Sequence, residues 1–122
     1  MKYRVSILPT ALVMSTMFLV ACSGASDSDR DLVAQGHKLF RGTCARCHGP
    51  NGEGMPRLGK DLHANAFGKG SSDQELLDFL EKGRSAADPL NERGIDMPAK
   101  GGNPTLTEED LALIVAYLRS LE

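Results

Sequence analysis

Apolar residues recur at helical spacing in three stretches of the chain. Leu32, Gly36, Leu39 and Phe40 share one helical face and Gly42 follows them. This predicts a first helix starting near Ser28 or Asp29, where a capping side chain and Asp31 suit the positive helix end. His37 falls off the stripe and is expected in solvent. A second helix is predicted from the capping box Ser72-x-x-Glu75, through Leu76, Leu77 and Leu80, to cationic Lys82 and a stop at Gly83. A third opens at Thr107-Glu108-Glu109-Asp110 and carries Leu111, Ile114, Val115, Leu118 and Leu121 on a wide apolar face, with Tyr117 on its flank. Between these, 60–70 suggests one helical turn bearing Leu62 and Phe67, and 84–105 shows no periodicity. A loop of that length inside one domain calls for a function. The predicted class is all-α.

The front of the chain changes the picture of where the domain begins. Lys2 and Arg4 precede 7–20, which is apolar apart from Pro9, Thr10, Ser15 and Thr16. The run is too short and interrupted for a membrane span of ~20 apolar residues and reads as a signal peptide. Leu19-Val20-Ala21-Cys22 resembles a bacterial lipoprotein cleavage box. By that resemblance Cys22 becomes the mature N-terminus with lipid on its thiol and amine, which also gives the odd third cysteine a purpose. An ordinary secretory signal with a soluble product, or an uncleaved anchor, are the alternatives. The expected organisation is a leader over 1–21, a lipidated cysteine and flexible tether over 22–29, and one domain over 30–122. The product is exported to the periplasmic side of a bacterial membrane.

Removing 1–21 leaves 12 basic against 16 acidic residues, a net charge of −4. With no basic stripe to neutralise phosphates, nucleic acid is excluded as a partner. The sum does not identify a protein partner, because docking depends on local patches.

The chemistry centres on Cys44-Ala45-Arg46-Cys47-His48. C-x-x-C-H is the spacing for covalent attachment of a c-type haem. Two thiols three positions apart add across two vinyl groups on one porphyrin edge, and the adjacent His48 reaches the iron. A redox dithiol or half of a zinc site would use the same cysteines, but no second Cys/His pair and no βαβ pattern accompany them. The expected cofactor is one haem c, bound through Cys44 and Cys47. Beyond the leader only Phe40, Phe67, Phe79 and Tyr117 are aromatic. A domain of ~100 residues then needs the haem's apolar bulk, and the haem-free chain is expected not to fold stably. Met97, between Asp96 and Pro98 in the aperiodic loop, is the expected sixth ligand. A thioether suits haem iron, and Pro98 restricts Met97 to an extended backbone. Its rivals are Met55, tethered seven residues after His48, and His63, for which solvent or a haem propionate is the expected neighbour. A mere apolar plug at Met97 is the remaining alternative. Residues 100–103 are expected to turn the chain at the haem edge.

Gly36-x-x-x-Phe40 before CARCH, Met97-Pro98 in a Gly-rich loop, and a C-terminal amphipathic helix with Tyr117 together resemble the class I (mitochondrial-type) cytochromes c in their small bacterial single-haem form. The resemblance covers about Asp29 to Leu121. It implies the cytochrome c fold, three to five helices wrapped around one covalently attached haem. It implies that Gly36 lets the C-terminal helix cross closely, with Phe40 and Tyr117 meeting there. Pro56-x-Leu58 matches the family's Pro-x-Leu, whose proline carbonyl accepts a hydrogen bond from the free nitrogen of the iron-bound imidazole. The expected function is one-electron transfer, with His48 and Met97 on the iron. The redox donor and acceptor would be membrane-associated: an oxidase, a dehydrogenase or a quinol-oxidising complex. A permanent haem subunit of such a complex is the nearest alternative. A haem enzyme or gas sensor with an open iron is a third, for which the distal side offers only His63, Arg84 and Arg93. No acid/base pair, nucleophile elbow or phosphate loop argues for other catalysis.

Overall fold

Helix α1 runs Asp27–Thr43 and crosses the C-terminal helix α5, Glu108–Arg119, in the largest helix–helix contact of the fold. These come from a computed structural model, which describes residues 26–122. The leader, Cys22 and the first part of the tether lie outside the described residues. Between α1 and α5 come α2, Ala45–His48; α3, Ala66–Gly70; α4, Asp73–Lys82; and a 3₁₀ turn at Ala99–Gly102. Among the described residues there is no strand, only an isolated bridge between Arg84 and Met97. The architecture is all-α, as expected.

Each long helix starts where a side chain satisfies orphan backbone donors. Ser72 with Glu75 caps α4, and Thr107 with Asp110 caps α5, at the predicted positions. On α1 the box is Ser26 with Asp29, so Asp27–Asp29 belong to the helix and not to a flexible tether. Ser28 with Asp31 offers the same spacing, but extension to the earlier box adds backbone bonds at little further cost. The other end also departs from expectation. Gly42 does not stop α1, which continues to Thr43; Cys44 then caps α1 and opens α2.

The α1–α5 crossing rests on Gly36. A Cβ there would lie 1.9 Å from the Leu113 carbonyl oxygen, so only glycine lets the two backbones touch. Phe40 and Tyr117 meet at this crossing with ring centroids 5.1 Å apart. Phe40 and Ile114 are the most deeply buried large side chains, each 1% exposed, and burial of such groups contributes ~1.5–3 kcal/mol apiece. Leu76 and Leu80 of α4, with Leu106, Leu111 and Val115, complete the core.

Two positions on α1 differ from the periodic reading. Leu32 is 42% exposed, and half-buried Val33 packs on the core instead. His37 is half-buried: its ring stacks on Tyr117 at 4.6 Å, and Nε2–H donates to the Pro50 carbonyl at 3.2 Å. The wide face of α5 reaches past the stripe of α1, so the flank residue joins the interface.

The aperiodic loop is ordered by its own side chains. Asn91 Nδ2 donates to the carbonyls of Ser85 (2.9 Å) and Ile95 (2.7 Å). Asn91 Oδ1 accepts from the Arg93 and Gly94 amides, and Asp96 accepts from the Ala86 amide at 2.6 Å. Reciprocal backbone bonds of 2.8 Å between Arg84 and Met97 close its ends. This is an Ω-loop, packed by its own contents. At the far end of α5, Arg119 binds Asp73 and the carbonyls of Gly68 and Ser71, fixing α3 and the start of α4.

Gly36→Ala should lower the stability of the haem-loaded protein by about 3 kcal/mol, at the upper end of the usual overpacking cost. Guanidinium unfolding followed by far-UV dichroism measures it; an unshifted midpoint would mean that the crossing relaxes freely.

Candidate functional site

Because α1 passes into α2 through Cys44, the thiols of Cys44 and Cys47 and the His48 imidazole occupy one helical turn at i, i+3 and i+4, on one face. All three line a cavity bounded by Phe40, Ile114, Leu76 and Leu80 of the core. Leu58, Leu62 and Phe67 also line it, and so does Met97 from the Ω-loop. Thus Cys44, Cys47, His48, Leu58 and Met97 are brought together around one space.

Behind α2 the chain folds back closely. The Gly59 amide donates to the Cys47 carbonyl (3.0 Å), and the Gly54 amide to the His48 carbonyl (2.7 Å). A Cβ on Gly59 would sit 2.2 Å from the Cys47 carbonyl oxygen and 3.0 Å from His48 Nδ1. This close pass delivers the Lys60 carbonyl to His48: Nδ1–H donates to it at 2.9 Å. A carbonyl only accepts, so the bond fixes the tautomer and leaves the Nε2 lone pair for a metal.

The partner of His48 is therefore Lys60, and the assignment to Pro56 is corrected. Pro56 is exposed and does not line the cavity. It occupies the second position of a turn in which the Leu58 amide donates to the Met55 carbonyl at 3.1 Å. Arg57 follows with φ 60. Proline followed by a positive φ is the pattern of a type II turn, which carries Pro56 away from the imidazole and returns the chain at Gly59–Lys60. Leu58, the other half of the motif, does reach the cavity. Of the rival ligands, Met55 is 40% exposed and outside the cavity. His63 is exposed and bonds Asp61 through both its amide and its ring.

The lining fits a haem. Two free thiols stand beside an imidazole with one nitrogen available, and a thioether lies on the same apolar space. The backbone also leaves room beside the thiols. A Cβ on Gly101 would come 2.9 Å from Thr43 Cγ2 and 3.7 Å from Cys44 Sγ, so the expected turn at 100–103 runs against the Cys44 edge. Burial, reinforced by neighbouring Cys47, pushes the Cys44 thiol up to about 11.

Several contacts at the site carried no sequence signal. Lys60 contributes a backbone atom, and every residue has a carbonyl. Its ammonium pairs with Glu92 of the Ω-loop at 2.7 Å, spanning the two sides of the cavity. Arg84 lies over the rings of Phe67 (4.9 Å) and Phe79 (4.7 Å). Asn91, the organiser of the loop, was visible only as a turn-former among Asp, Pro and Gly.

Gly59→Val should displace the Lys60 carbonyl and raise the reduction potential of the haem-loaded protein, since an imidazole that loses its acceptor is a weaker donor and stabilises ferric iron less. Pro56→Ala should leave the potential where it is. Potentiometric titration of both variants checks the assignment; the reverse ranking would restore Pro56.

A family model described as Cytochrome c matches residues 33–122. Cytochrome c-555 of Prosthecochloris aestuarii is 34% identical over 96 residues, covering 76% of this chain and 91% of that protein. The cbb3-type cytochrome c oxidase subunit FixP of Azorhizobium caulinodans is 28% identical over 105 residues, covering 85% of this chain but 32% of that protein. This chain therefore spans about a third of FixP and nine tenths of cytochrome c-555. No solved structure matches significantly. The chain belongs to the cytochrome c family: it has the all-α cytochrome c fold, binds haem c covalently and works in electron transfer.

Proposed function

We propose that His48 and Met97 are the two axial ligands, and that the chain shuttles single electrons between membrane-associated respiratory proteins. The observation that carries this reading is the shared cavity: Met97 lines the same apolar space as His48, Cys44 and Cys47, while Met55 and His63 do not. Haem c supplies a one-electron ferric/ferrous couple. The chain's residues do the rest. The Lys60 carbonyl orients the His48 ring and strengthens it as a donor. The Arg84–Met97 bridge holds the thioether side extended. Phe40, Leu76, Leu80 and Ile114 keep water from one wall. With His48 and Met97 both holding the iron, a change of its oxidation state would need little rearrangement of the chain.

Met97→Ala should keep the haem attached, lower the potential and let carbon monoxide bind the reduced protein. Absorption spectra with and without carbon monoxide read this directly. A spectrum unchanged from wild type would remove Met97 from the iron.

Lipid on Cys22 would hold the domain at the periplasmic face of a bacterial membrane. No described helix is long and apolar enough to cross a membrane. Cys22→Ser should move the holoprotein from the membrane fraction to the soluble one. Equal membrane retention would point to a different attachment.

A second reading is favoured by the match to FixP over 85% of this chain. In it the domain is a standing haem subunit of an oxidase or dehydrogenase complex. Purification in mild detergent separates the two: a shuttle comes alone, a subunit with its complex.

A further inference from the structure

Arg84 stands at the hinge of the Ω-loop, and none of its side-chain contacts is explained by the ligand set. Its guanidinium lies 4.9 Å from the ring centre of Phe67 and 4.7 Å from that of Phe79, two rings themselves 5.0 Å apart. The side chain is only 17% exposed. It turns back into the loop that it begins, with Nε 3.8 Å from the Asp88 carboxylate and Nη1 donating to the Leu90 carbonyl at 3.4 Å. Its backbone exchanges both hydrogen bonds with Met97, each 2.8 Å. Gly83 lets the two ends of the loop approach, since a Cβ there would lie 2.2 Å from the Met97 carbonyl oxygen.

We infer that the Arg84 side chain is a positioning residue for Met97, anchoring the mouth of the Ω-loop so that the thioether stays on the iron. The inference rests on Met97 being the sixth ligand. A backbone bridge of one residue pair is weak by itself, because a two-stranded contact without a sheet around it is marginal. What immobilises residue 84 is its side chain. A planar cation held against two aromatic faces and out of water is attracted to both, and Asp88 and Leu90 tie the same group to the loop. The rest of the loop is stiffened internally by Asn91 and Asp96. It therefore moves as a unit, and across its mouth the Arg84 anchor is supplemented by the exposed Lys60–Glu92 pair. An exposed ion pair of that kind holds little. Release of Arg84 frees Met97 to swing away with the loop.

The test uses haem-loaded wild type, Arg84→Gln and Arg84→Lys, compared by far-red absorption of the ferric form and carbon monoxide binding to the reduced form. Haem content and far-UV dichroism report folding. Wild type should show a sulfur-to-iron band and exclude carbon monoxide. Arg84→Gln should keep its haem and helix signal, lose most of the band, and bind carbon monoxide about tenfold faster or more. Arg84→Lys should recover part of the band, because an ammonium can still lie over the rings. An Arg84→Gln protein with the band and the exclusion of carbon monoxide intact overturns the inference, even if its potential falls. In that case Arg84 acts through its charge alone. If Arg84→Gln does not retain haem, Arg84→Lys and Asp88→Asn carry the same readout, and wild-type bands in both overturn the inference. A wild-type protein lacking the band defeats Met97 as ligand, which distinguishes failure of that reading from failure of the anchor.

Discussion

Contact between two backbones at Gly36 and Leu113 is the constraint on which the rest of the structure depends. The α1–α5 crossing is close because nothing projects from residue 36. Closeness makes Phe40, Tyr117 and Ile114 one packed unit. Phe40 and Ile114 then serve twice, as core and as cavity wall. The end of α1 runs without a break into Cys44 and α2. The thiols and the imidazole are thus presented by a helix whose direction is set at the crossing. A side chain at position 36 would push the helices apart and move the attachment residues with them.

Both faces of the site are organised by main-chain atoms. On one, the Lys60 carbonyl orients His48; on the other, the Arg84 backbone holds Met97. Backbone acceptors do not titrate, and their positions are set by the path of the chain. The side chains nearby hold these main-chain segments in place. Lys60 reaches Glu92 across the cavity mouth, an exposed pair that contributes little. Arg84 packs on Phe67 and Phe79, and α3, which carries Phe67, is held in turn by Arg119. The far end of α5 is in this way linked to the Met97 side of the site.

The match to nearly the whole of one relative and to a third of another means that the same unit occurs alone and inside a longer subunit. Among the described residues, those that line the cavity lie between Phe40 and Glu122. What differs between a shuttle and a standing subunit lies on the surface and in what tethers the domain.

The haem attachment residues and the caps of α4 and α5 were legible in the residue order alone. All are short-range or type-specific: thiols three apart with an adjacent imidazole, and a side chain capping a donor three positions on. Resemblance to the family added the need for glycine at the crossing. Only the tertiary structure decided which carbonyl meets His48. A type II turn at Pro56–Arg57 shifts the chain so that Lys60, not Pro56, arrives there, and carbonyls are identical in every residue. It also decided that His37 stacks on Tyr117, that Leu32 faces water, and that Asn91 and Asp96 close the loop around themselves. These outcomes depend on which surfaces meet after the helices have crossed. Local sequence determines the helices and the chemistry they carry; the partners of each polar and flanking group are settled by packing, because they come from parts of the chain that only folding brings together.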